Sequence, residues 1–95
     1  MTEKNTSEPD DFDYEAALLA CARGEKFALQ AIYARDSRWL FAVAYRIVKR
    51  RELAEEVLHD AMVKVWNRSR LYSPALGSAR GWVYTVVRNQ ALNSV

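Results

Sequence analysis

Residues 52–89 read ELAEEVLHDAMVKVWNRSRLYSPALGSARGWVYTVVRN, and the order of parts within them sets the architecture. Leu53, Val57, Leu58, Ala61 and Val65 recur at i, i+4 and i+8, the stripe of a helix that buries one face. That helix is expected to begin near Arg51 or Glu52 and to end around Ser69 to Leu71. Glu56, His59, Asp60, Val63 and Asn67 repeat at the same steps on another face, flanked by Lys64 and Trp66. Tyr72 to Ala79, YSPALGSA, is punctuated by Ser-Pro and Gly-Ser and reads as a loop. Ser78 is placed to cap a following helix, in which Val83, Val86, Val87 and Ala91 point inward. Trp82, Thr85, Arg88, Asn89 and Gln90 fall on or near the opposite side. Two amphipathic helices need further apolar surface to cover them, and the residues upstream supply it as helix.

Working back from Glu52, Phe27, Ile32, Trp39, Leu40, Val43, Ala44 and Ile47 recur at helical spacing and predict a long helix from about Glu25 to Val48. The polar ARDSR at 34–38 is expected to mark a bend or short break. The aromatics Phe27, Tyr33, Trp39, Phe41 and Tyr45 read as packing of a small bundle. Arg35, Arg38, Arg46, Lys49 and Arg50 read as a solvated face. Upstream, YEAALLACAR forms a first helix with Asp13 as its N-cap, Glu15 favouring the dipole and Gly24 at its stop. Leu18, Leu19 and Ala22 are its expected apolar side, and the lone Cys21 reads as a small core residue. Residues 1–12 are polar and acidic and are expected to be disordered. The expectation is therefore an all-α bundle of about four helices over 13–95.

Composition narrows the function classes. Three Gly and two Pro among 95 residues, with both prolines outside the periodic segments, suit helices. One cysteine allows no internal disulfide. No apolar run approaches the roughly 20 residues of a membrane span, and the acidic N-terminus is unlike a signal peptide, so the expected setting is the cytoplasm without membrane insertion. A single histidine far in sequence from the single cysteine assembles no metal set. Gly77 and Gly81 lack the Lys-Ser/Thr pair of a phosphate loop, and the carboxylates of 52–60 share one helix with no opposing group. No catalytic residue and no cofactor are expected.

Charge is uneven. Residues 1–13 carry one Lys against five acids, a net −4, whereas 14–95 carry a net +6. From Leu71 onward there are two arginines and no acid. Glu56, His59 and Asp60 read either as an ordinary solvated face or as a docking surface for a basic partner. Tyr72, Trp82 and Tyr84 interleave with Arg80, Arg88 and Asn89. Rings that stack on bases beside arginines that neutralise phosphates suit a single strand, and an Asn side chain can pair with a base edge. A loop closed by helix ends can hold a flipped base. Core packing of the same aromatics is the alternative.

The order of these parts resembles the conserved second region of bacterial sigma factors, in the small extracytoplasmic-function (ECF) group. EEVLHDAMVKVW (55–66) is similar to that family's D-x-V-Q-E-x-F-x-x-x-W helix, and GSARGWVYTVVRN (77–89) to its next loop and helix. The resemblance spans roughly 14–95. It implies that Glu56, His59, Asp60, Val63 and Trp66 bind the clamp coiled coil of the RNA polymerase β′ subunit. It also implies that Tyr72, Ser73, Leu76, Gly77, Ser78 and Arg80 belong to the loop region that captures a flipped base of the non-template promoter −10 element. Trp82, Tyr84, Arg88 and Asn89 would lie on the strand-opening and recognition helix beside it. An anti-sigma factor covering the same surfaces is a further implied partner. His59 stands where the family usually has Gln, which adds a titratable group to that face. Asn93 stands where an acid followed by basic residues is common. The periodic pattern is still running at Val95, and no counterpart of the helix-turn-helix that reads the −35 element is present, so the chain reads as a fragment. Two rivals are a helix-turn-helix regulator that binds duplex DNA and a helical protein–protein adaptor; the long 71–79 connection counts against the first.

Overall fold

The computed structural model describes residues 12–95, which form four α-helices: α1 (Tyr14–Ala22), α2 (Lys26–Val48), α3 (Arg51–Arg68) and α4 (Ala79–Asn93). Two short 3₁₀ turns, Ser69–Leu71 and Pro74–Leu76, lie between α3 and α4. The expected disordered tail falls outside the described residues apart from Phe12.

Each boundary has a local cause. Asp13 Oδ1 accepts the Ala16 N–H at 2.9 Å and satisfies one of the orphan donors that open α1. At the other end Gly24 takes φ +88°, with Gly24 N–H donating to the Cys21 carbonyl and Glu25 N–H to that of Ala20. That pair of bonds is a Schellman motif, and its left-handed residue is where glycine costs least. Lys49 adopts the left-handed conformation without being glycine (φ 63°) and donates to the Tyr45 carbonyl at 2.8 Å, so α2 stops there. Only Lys49 and Arg50 separate α2 from α3, a connection that short folding α3 back antiparallel to α2.

The core is the set of facing stripes. Ala28, Ile32, Leu40, Ala44 and Val48 come from α2 and Ala54, Val57, Leu58, Ala61, Met62 and Val65 from α3, while α4 adds Ala79, Val83, Val87 and Ala91. Tyr14, Leu18, Ala20 and Cys21 of α1 close the bundle. Each large apolar side chain buried here contributes about 1.5–3 kcal/mol, and the alanines let the helix backbones approach closely.

Three expectations need correction. α2 runs unbroken through 34–38, because Asp36 turns inward within the i, i+4 stripe and meets a partner there. Leu19 and Phe27, expected inside, are on the surface, Phe27 at 66% exposure, and Ala22 is half-buried. The stripe from Ala28 and Ile32 fixes the rotation of α2, and the neighbouring position 27 then faces away. Among the α2 aromatics Tyr33 and Tyr45 are likewise exposed, while Trp39 and Phe41 are half-buried against the core.

Candidate functional site

Two surfaces of the bundle carry the residues singled out by sequence. The first is the outer face of α3. Core positions Ala54, Val57, Leu58, Ala61 and Val65 set the helix rotation, and this leaves Glu56, His59, Asp60 and Val63 exposed and Trp66 half-buried. Among the described residues the ion pairs are Arg23–Glu25 and Arg80–Asp36, so neither Glu56 nor Asp60 is engaged in one. Beside these residues runs a groove of about 510 Å³ between α2 and α3. Lys26, Leu29, Gln30 and Tyr33 form its α2 wall, and Glu55, His59, Met62, Val63 and Trp66 its α3 wall. The face thus offers an exposed acidic ridge next to an apolar trough. The α2 wall was not anticipated; its signal was Leu29 and Tyr33 at helical spacing off the main stripe.

The second surface is the connection from α3 to α4 with the first turns of α4. Ser69 is buried and its hydroxyl donates to the Trp66 carbonyl at 3.0 Å. The Tyr72 hydroxyl donates to the Gly77 carbonyl at 2.9 Å, and its ring meets Trp82 edge-on with centroids 5.9 Å apart. Gly77 sits at φ +111°, a conformation L side chains rarely adopt, and the left-over span is filled by the Pro74–Leu76 turn. Ser78 Oγ accepts the Gly81 N–H at 3.0 Å and caps α4. A Cβ on Gly81 would lie 2.9 Å from that same oxygen, so a larger residue there would require the Ser78 hydroxyl to shift.

Arg80 projects from the first turn of α4 onto α2. Its Nε donates to Asp36 Oδ2 at 2.9 Å, and its guanidinium carbon lies 3.8 Å from the centroid of the Trp39 ring. One turn later Tyr84 stacks on Trp39 at 5.7 Å with the planes 18° apart. The Asp36 side chain is 7% exposed and that of Arg80 half exposed. The Tyr14 hydroxyl is buried and lacks a hydrogen bond of good geometry. Burial first, then the nearby Asp36 carboxylate, hold that hydroxyl well above the usual phenol range and keep it neutral.

Of the residues expected to meet nucleic acid, Ser73, Leu76, Gly77, Ser78, Arg80, Arg88 and Asn89 are exposed, and Trp82 and Tyr84 are half-buried. Tyr72 differs. It was expected to offer a ring for stacking, but it is buried at 5% exposure and its hydroxyl is consumed in closing the loop. Asp36 and Trp39 were overlooked as partners of this surface. The available signal was one carboxylate in an otherwise apolar i, i+4 series from Ala28 to Val48. Among the described residues no helix is long and apolar enough to cross a membrane.

Comparison with known proteins bears on both surfaces. The family model for sigma-70 region 2 matches residues 32–95, which include the groove walls from Ile32 onward, the loop and α4. The ECF RNA polymerase sigma factor SigK of Mycolicibacterium vanbaalenii is 25% identical over 83 residues, covering 87% of this chain and 42% of the relative. SigL of Mycobacterium tuberculosis, also an ECF RNA polymerase sigma factor, is 24% identical over 78 residues, 82% of this chain and 44% of that protein. RpoE of Cereibacter sphaeroides, of the same description, is 33% identical over 42 residues, 44% of this chain and 23% of its own length. The chain spans less than half the length of these curated relatives. No solved structure gives a significant match. With a helical bundle of the expected order and a family match over two thirds of its residues, the chain belongs to the sigma-70 region 2 family, in its ECF branch.

Proposed function

We propose that this chain is the part of an ECF sigma factor that docks on the β′ clamp of core RNA polymerase and binds the unpaired promoter −10 element. The observation that carries the reading is the division of charge between two adjoining faces of one bundle. The outer face of α3 presents Glu56 and Asp60 beside an apolar groove, and the loop with α4 holds two arginines and no acid. The first suits a basic helical partner, whose apolar side chains the trough takes while its cations meet the ridge. The second suits a strand whose phosphates need cations and whose bases need a surface to leave the stack for. The chain supplies no catalysis in this role; it holds DNA open for the polymerase. An anti-sigma factor, where one exists, would compete for the same two faces.

The test is binding to a purified β′ clamp coiled-coil fragment, wild type beside Asp60→Arg. Wild-type binding that disappears in a variant with an unchanged melting curve supports the docking role. A folded wild type that does not bind removes it and returns the adaptor and duplex-binding readings to first place.

A further inference from the structure

The Arg80 side chain is restrained in a way that an ordinary DNA-contacting arginine on a surface is not. Its Nε is committed to a carboxylate that comes from another helix and is itself buried, and its planar face is committed to the Trp39 ring. Tyr84 stacks on the same indole, so the first two turns of α4 are registered against α2 through one aromatic residue. The terminal amino groups of Arg80 make no hydrogen bond among the described residues, and the side chain is half exposed. A fork held in this manner keeps free donors and points them in one direction. Little freedom is then lost when it meets an acceptor.

The pairing has a second consequence. General affinity for a strand follows the number of phosphates neutralised by unpaired cations. Asp36 offsets the charge of Arg80, which reduces its pull on phosphates in general while leaving its direction intact. We propose that Asp36 is a positioning residue of the nucleic-acid surface, fixing the Arg80 fork so that it sets which base is accepted rather than how tightly any strand is held. This rests on the nucleic-acid role proposed above. Trp39 is the second half of the device, because without the ring the guanidinium would turn about its bond to Asp36.

The experiment measures binding of short oligo(dA), oligo(dC) and oligo(dT) strands to core polymerase loaded with this chain, across a salt series. Wild type is compared with Asp36→Asn and Arg80→Lys. Asp36→Asn is expected to lower the ratio between the best- and worst-bound strand about tenfold, the size of one lost directional base contact. It should leave the weakest strand bound as well or better, with a steeper salt dependence as Arg80 regains phosphate contacts. Arg80→Lys, a change at a half-exposed site that keeps the charge but not the fork, is expected to lose the same discrimination. A merely structural Asp36 would instead lower the melting temperature and weaken all strands alike, with the ratio unchanged; that result, or full discrimination in Arg80→Lys, overturns the inference. Wild-type complexes that take all three strands alike overturn this inference alone, whereas complexes that take up no strand overturn the nucleic-acid reading as well.

Discussion

The outer face of α3 and the first turns of α4 are both charged, but they are attached to the bundle in opposite ways. Glu56, His59 and Asp60 stand on a helix whose stability comes from its other side, and no ion pair among the described residues involves the two carboxylates. Arg80, Trp82 and Tyr84 are each tied inward, to Asp36 and Trp39, to Tyr72, and to Trp39. A free face can be changed without disturbing the fold, and it keeps its full charge for a partner. A tied face surrenders some charge and some surface to packing, and gains a fixed geometry in return. Docking on a protein needs mainly charge and an apolar trough, whereas choosing among bases needs direction.

Substitutions should separate the two faces by how far they propagate. The largest effect is expected from Tyr72→Ala, which removes a buried ring and its bond to the Gly77 carbonyl. It should cost about 3–5 kcal/mol by urea denaturation, and a loss below about 1 kcal/mol would show that the loop does not depend on it. Next, Arg80→Ala leaves the buried Asp36 carboxylate without its partner. Because Arg80 is half exposed and water can partly replace it, about 1–3 kcal/mol is expected rather than the full cost of breaking a buried pair. The double variant Asp36→Asn with Arg80→Ala should recover part of that loss, which a double-mutant cycle reads directly. Ser78→Ala removes the α4 cap and should cost about 1 kcal/mol, visible as a drop in melting temperature of about 4–8 °C for a domain of this size.

Smaller effects complete the contrast. Tyr14→Phe deletes a buried hydroxyl that has no hydrogen bond of good geometry, so stability at neutral pH should hold or rise slightly. The same hydroxyl has a raised folded-state pKa. Its ionisation therefore leaves folding stability unchanged below the ordinary phenol value of about 10 and lowers it at higher pH, as the unfolded chain ionises first. Removal of that alkaline decline in Tyr14→Phe is the check. The smallest change in stability, within about 0.5 kcal/mol, is expected for Asp60→Arg on the free face, even though this variant should abolish clamp binding. A large destabilisation by Asp60→Arg would erase the distinction between the two faces.

Much of this architecture was legible from residue order, since the helices are set by local signals. The Asp13 and Ser78 caps, the Gly24 stop and the apolar spacing of α3 and α4 act within a few residues of one another, so a linear reading finds them. The acidic ridge was legible for the same reason: with Leu53 to Val65 facing inward, Glu56, His59 and Asp60 have to face outward. A residue whose role depends on another helix is not legible in residue order. Phe27 counted as core because phenylalanine usually is, yet the rotation of α2 set by Ala28 and Ile32 excludes it. Tyr72 counted as a surface ring, yet the return of the chain at Gly77 and the approach of Trp82 enclose it.

Sequence alone thus determined that the chain is all-α, where its helices begin and end to within a residue or a few, and which face of α3 is acidic. Those properties follow from hydrogen bonds and periodicity that span about one turn. Tertiary structure alone decided that the polar stretch 34–38 continues a helix instead of breaking it, because Asp36 and Arg80 lie 44 residues apart in the chain and meet only when α2 and α4 pack. A carboxylate in an apolar stripe is a defect until its partner arrives, and the partner is a fact of the fold.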